Sequence, residues 1–223
     1  MKLDINFIEK ATQDNTWVAF LFIIGFLLVA ILRNVFEKKF KDYVALLYNN
    51  KYIKLYSEGD NTLGAFSLIT IVVQLISFSL FFLILLSNID IYPRTDWFIW
   101  FQIFGFLTLF IGVKYFIEKG IAQIFEIKGF YDKFIFRQIS YKTYTGNILL
   151  FVCFIMYYTP PVNELVTYIL FGIFIAIQIF ILINTFVSFR KEILNKLFYF
   201  ILYLCTLEIA PYYFMYYLFT KQL

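Results

Sequence analysis

The sequence predicts an all-α protein: a polytopic transmembrane helix bundle with about six spans, both termini outside the cytoplasm, and cytoplasmic amphipathic helices. Three observations predict it. Of 223 residues, 62% are hydrophobic and 15% charged, against about 45–50% and about 25% in soluble domains. Long stretches without any Asp, Glu, Lys or Arg recur along the chain, each near the length needed to cross a bilayer. The basic residues gather in alternate gaps between those stretches, which is how membrane orientation is encoded.

The uncharged stretches cover 15–32, 61–89, 97–113, 143–163 and 165–189, and a sixth, 197–220, is broken only by Glu208. About 20 apolar residues span the hydrocarbon. Five stretches reach that range, and the third ends at Lys114, whose charge can snorkel to the interface. The whole chain, 1–223, therefore reads as one integral membrane domain, with spans at about 16–35, 63–87, 97–115, 144–161, 165–189 and 197–220. The first stretch ends in the charged run Arg33 to Lys39 instead of a small-residue cleavage site, so it reads as a retained anchor and not a signal peptide.

With six spans, one side of the membrane holds 33–62, 114–142 and 190–196, which carry six, six and three of the 19 basic residues. The positive-inside rule makes this side cytoplasmic. Two cytoplasmic segments, 36–62 and 116–142, are long enough for structure. Phe36, Phe40, Val44 and Leu47 recur at helical spacing among Glu37, Lys38, Lys39, Lys41 and Asp42. That pattern fits either a continuation of the first span or a helix lying on the inner leaflet. In the second segment Ile117, Ile121, Ile124, Phe125, Phe130 and Phe134 alternate loosely with Lys119, Glu126, Lys128, Lys133 and Arg137. It reads as an interfacial helix held by anionic lipid, or as a docking surface for another protein. The outer connections are tight, with Thr159-Pro160-Pro161-Val162-Asn163-Glu164 a turn.

Aromatic residues reach 23%, which suits a bundle with a greasy surface and aromatic belts at its ends. Histidine is absent, which removes imidazole bases, histidine metal or haem ligands and the usual catalytic triads. Cys153 and Cys205 both sit within apolar stretches, so neither a disulfide nor a cysteine metal site is expected. There is no Gly-rich phosphate loop, metal-ligand spacing or nucleophile elbow. No Lys or Arg falls within an apolar stretch, which argues against a voltage sensor or anion pore. No cofactor, no metal and no nucleic-acid partner are expected, and the chain reads as no enzyme.

Glu208 is the charge-capable residue in the middle of a span. A group of this kind costs a few kcal/mol to insert, about 2.5–3.5 for Asp at a helix centre, so it faces the bundle or a wet cavity. Pro211 removes a backbone hydrogen bond three residues on and kinks the helix, and Tyr212 lies on the face of Glu208. The midpoints of four stretches fall near Gln74, Cys153, Gln178 and Glu208. The candidate intramembrane polar cluster is thus Glu208, Gln178, Gln74 and Tyr212, with Thr70, Ser77, Ser79, Gln102 and Thr108 in reach. It reads either as glue between helices, as a proton-linked relay or substrate site, or as a catalytic acid.

The run Leu202-Tyr203-Leu204-Cys205-Thr206-Leu207-Glu208-Ile209-Ala210-Pro211 resembles the C-terminal signature of a Bacteroidota membrane family catalogued as domain of unknown function 4271. Thr206 stands where alanine is common in that family. The resemblance implies a multi-pass bacterial inner (cytoplasmic) membrane protein with an envelope-related role, and it brings no activity. The functional expectation is a non-enzymatic scaffold or accessory subunit of an envelope complex, with type 9 secretion or gliding as hosts by family analogy. Its partners would be the lipid bilayer and other inner membrane proteins. The alternative is a small proton-coupled transporter using Glu208 with Gln178 and Gln74.

Overall fold

A computed structural model describes residues 16–49, 51–57, 64–88, 96–124, 128–159 and 164–188. Among them every regular element is helical. Five helices are long and apolar enough to cross a membrane: α1 (Thr16–Val35), α4 (Ala65–Asn88), α5 (Trp97–Ile124), α6 (Lys128–Tyr158) and α7 (Glu164–Ser188). Between α1 and α4 lie α2 (Glu37–Val44), a 3-10 turn (Ala45–Leu47) and α3 (Lys51–Tyr56). The expected sixth span, 197–220, lies outside the described residues, and with it Glu208, Pro211, Tyr212 and Cys205.

The long helices form because uninterrupted apolar residues leave the backbone no better partner than itself. Their hydroxyl residues add to this. Thr70, Ser77 and Ser79 each donate to a carbonyl three or four residues back, at 2.7–2.9 Å. Polar atoms are thereby satisfied without leaving the helix.

α4 is the hub and the most buried of the five, packed by α1, α5, α6 and α7. Its main neighbour is α6, which runs parallel to it, the antiparallel α5 making the return. The core there holds Val73, Ile76, Leu80, Phe81 and Ile84 of α4, Val18 and Phe22 of α1, and Leu149, Leu150 and Cys153 of α6. By contrast α5 and α7 sit on the rim, with Phe101, Leu109, Phe180 and Val187 each more than 60% exposed. So much exposed apolar surface suits lipid and not water.

Ring contacts fix the alternation. Trp17 at the start of α1 meets Trp100 at the start of α5 at 5.9 Å, and Phe22 meets Tyr157 near the end of α6. Asn88 at the end of α4 donates to Thr167 at the start of α7, 2.7 Å. At the opposite end, Phe36 meets Phe66 at the start of α4, and Phe134 of α6 stacks on Phe186 of α7. Every Lys and Arg among the described residues belongs to the half of the molecule nearer this second end.

Two features depart from the apolar stretches. α5 continues beyond 115, and α6 begins at 128, well before 144, so the segment 116–142 is divided between the extensions of two transmembrane-length helices. Their amphipathic parts pack on each other through Ala122, Tyr131, Ile135 and Ile139. The segment after α1 is a bent continuation. Phe36 leaves helical geometry (φ −118°, ψ 45°), yet its neighbours keep their hydrogen bonds, Phe36 N to Leu32 O and Phe40 N to Phe36 O. The apolar face of α2 turns onto the bundle, not onto a leaflet: Leu32, Tyr43, Leu46, Tyr52, Ile53, Phe66 and Phe136 form a second core. The Asn49 side chain accepts from the Lys51 N–H at 3.1 Å and starts α3.

Candidate functional site

Of the polar cluster expected at mid-depth, two members are described, and both converge on one stretch of α6. Gln74, 6% exposed, packs against Gly146 so closely that a Cβ built on the glycine would lie 2.8 Å from its Cβ and Cγ. One residue earlier, the Thr145 hydroxyl accepts a long hydrogen bond from Gln178 Nε2 at 3.4 Å. The seam thus joins α4, α6 and α7 in one polar layer, with Gln178 and Thr145 half-buried. Glycine is needed at 146 because any larger residue would push the two helices apart.

The rest of the expected set is dispersed. Cys153 lies two turns beyond Gly146 and its thiol approaches the Ser77 carbonyl, 3.7 Å, as a packed group of the α4–α6 interface. Gln102 and Thr108 are on the exposed side of α5, and Thr108 donates to its own helix at Phe104.

A second and denser polar site lies at the basic end. The Tyr43 hydroxyl donates to Thr143 Oγ1 at 3.1 Å and accepts from Asn147 Nδ2 at 3.2 Å. Tyr52 is hydrogen-bonded to Ser140 and stacks on Phe136 with centroids 5.6 Å apart. Burial holds both phenols neutral, pushing their pKa well above the ordinary tyrosine range. Lys39 extends its ammonium over Tyr56 and Phe66, 5.0 and 5.2 Å from the ring centres, a cation–π contact. Desolvation lowers its pKa. The α2–α3 segment is therefore held to α6 by directed bonds as well as by packing.

A family model described as domain of unknown function (DUF4271) matches residues 18–219. The chain belongs to the DUF4271 family. The match takes in all the described helices except the first two residues of α1, and it takes in the 202–211 run. No curated protein and no solved structure matches the chain.

A third polar site in this DUF4271 chain joins α5 to α6. Glu118, 2% exposed, accepts from the Tyr131 hydroxyl at 3.0 Å and pairs with Lys114 at 3.7 Å. A buried carboxylate kept this way is compensated on both oxygens. Among the described residues no group of three or more His, Cys, Asp or Glu gathers as a metal site.

Sequence reasoning missed the tyrosine site and the Glu118 site. Tyr43 and Thr143 are 100 residues apart, and nothing local marks either. A weak signal existed: Ser140, Tyr141, Thr143, Tyr144, Thr145 and Asn147 crowd the approach to the fourth apolar stretch. Such density of hydrogen-bonding groups at a membrane boundary calls for partners from another segment.

Proposed function

We propose that the chain is a non-enzymatic, multi-pass component of a bacterial inner membrane, with six spans and both termini outside the cytoplasm. It serves as a scaffold or accessory subunit of an envelope complex, and the Bacteroidota machines for type 9 secretion and gliding are the hosts that family analogy names. The observation that carries this reading is the closure of the α4–α6 seam at Gly146. The most buried helix uses its hydroxyls on its own backbone and its glutamine on a neighbouring helix. A packed, bonded interior with a broad apolar rim suits a module that holds position among other membrane proteins. Extraction in mild detergent followed by mass spectrometry tests it: other inner membrane proteins co-purify in fixed ratio. A chain that emerges alone and monodisperse overturns the reading.

One observation favours a second reading, a small proton-coupled transporter. Gln178 and Thr145 are half-buried on the seam between α6 and α7, and a carrier needs such groups at mid-depth. Glu208→Gln separates the two. Under the transporter reading the variant accumulates normally and transport is lost, whereas under the glue reading the variant fails to accumulate.

A further inference from the structure

Arg137 is buried on α6, 9% exposed, and its Nε has no hydrogen-bond partner. Its guanidinium carbon lies 5.6 Å from the centre of the Tyr141 ring. A guanidinium is a cation with five donors, so a ring face alone leaves it short of an anion. Among the described residues, three carboxylates at this end are engaged elsewhere: Glu37 with Lys41, Asp42 with Lys51, and Glu118 with Lys114 and Tyr131. Asp132 stands five residues earlier, about 140° around the helix, and makes no ion pair with Arg137 within 4.0 Å.

The face of α6 that carries Arg137 continues outward as Tyr141, Tyr144, Ile148, Phe151 and Ile155, at steps of three and four residues. The two tyrosines are half-buried, and the last three are 49%, 54% and 64% exposed. This is one stripe with a cation at its base, amphipathic rings above it, and open apolar side chains over about 21 Å from Tyr141 to Ile155. The side chains of α6 tilt toward its N-terminus, which directs Arg137 toward the basic end and the headgroup layer flanking the roughly 30 Å hydrocarbon core.

We propose that this stripe binds one anionic phospholipid, its phosphate held by Arg137 and an acyl chain lying along Ile148, Phe151 and Ile155. The planar guanidinium matches two phosphate oxygens at once. Tyr141 and Tyr144 occupy the interfacial depth at which aromatic rings sit. The inference rests on the membrane placement proposed above and is independent of the scaffold role.

The test uses the full chain, stripped of lipid in detergent and titrated separately with phosphatidylglycerol, phosphatidylcholine and inorganic phosphate. Binding is read by native mass spectrometry and by the unfolding midpoint. Phosphatidylglycerol binds and raises the midpoint of the wild type, phosphatidylcholine does so less, and inorganic phosphate does little. Arg137→Met weakens phosphatidylglycerol by about tenfold or more, the order of one charge-assisted bond, and Arg137→Lys by less. Without lipid, Arg137→Met unfolds no earlier than the wild type, because it removes an unpaired buried charge. Phe151→Ser also weakens phosphatidylglycerol, and with Tyr141→Leu it provides the comparison should Arg137→Met not accumulate. Equal lipid binding by wild type and variants overturns the proposal, as does a midpoint shift reproduced in full by inorganic phosphate. Copies of the chain that bind the lipid yet co-purify with no other protein would reject the scaffold and leave this site standing.

Discussion

Replacing Gly146 by alanine tests the central packing of the bundle directly. The added methyl would lie 2.8 Å from Gln74 Cβ and Cγ and 2.9 Å from its Cα, where carbon contacts settle at about 3.5–4.0 Å. A rotamer change can move Cγ but not Cα, so α4 itself must shift. Overpacking of this kind costs about 1–3 kcal/mol, and a backbone obstacle puts it in the upper half. Alanine returns about 0.5–1 kcal/mol through helix propensity. The net expectation is a destabilisation of about 1–2.5 kcal/mol. Two variants calibrate it. At Gly25 the new methyl meets only the Leu150 side chain, 3.0 Å at nearest, which can rotate away, and at Gly172 it meets nothing within 4 Å. Denaturant titration of the three purified variants should rank Gly146→Ala below Gly25→Ala and Gly25→Ala at or below Gly172→Ala. If Gly146→Ala is as stable as Gly172→Ala, the close approach of α4 and α6 is refuted.

Tyr43→Phe should cost about 1–3 kcal/mol, since Asn147 Nδ2 loses its acceptor inside the second core. A double-mutant cycle with Asn147→Leu should return a coupling of about 0.5–3 kcal/mol, measured by the same titration. Tyr43 and Tyr52 have raised pKa values when folded, so their contribution is complete below the unfolded tyrosine value of about 10 and is lost as pH rises toward the folded values. The loss of stability with rising pH above about 10 should therefore be shallower in the Tyr43→Phe/Tyr52→Phe double variant than in the wild type, measured by denaturant titration across that pH range. Cysteines placed at Asp96 and Lys54 in a Cys205→Ser background should label oppositely. A membrane-impermeant thiol reagent should reach the first from outside the inner membrane and the second only after lysis.

The five described membrane-length helices were legible because apolar runs of this length have few other uses. α1, α4 and α7 cover most of three of those runs, 15–32, 61–89 and 165–189. What was not legible is where α5 ends and α6 begins, for a helix leaving the membrane keeps its hydrogen bonds while charged side chains appear along it, as at Lys114, Lys119, Lys133 and Lys142. Gln74 and Gln178 could be singled out by depth alone, and α6 brings the two near each other through Thr145 and Gly146. Depth does not give the angle around a helix, which is why Gln102 and Thr108 share the expected depth and yet face outward. The one hint of the tyrosine site was the crowding of hydrogen-bonding residues between Ser140 and Asn147, and Tyr43, Tyr52 and Glu118 carried no signal of their own. Their partners are remote or sit on an element whose extent charge patterning hides.

The parallel pairing of α4 with α6 sets a problem of timing. Gln74 reaches Gly146 only after a further 72 residues (74 to 146) have been made, roughly 4–14 s at ordinary translation rates. During that interval the most buried of the five described membrane-length helices has α1 as its only completed membrane neighbour, and the α5 that follows offers a rim contact. α4 must therefore be retained beside the insertion machinery, or shielded by an insertase, until α6 arrives. Synthesis that stalls or is truncated between Trp97 and Lys142 should leave α4 exposed and mark the chain for membrane proteolysis, making the α5–α6 hairpin the commitment step in its assembly.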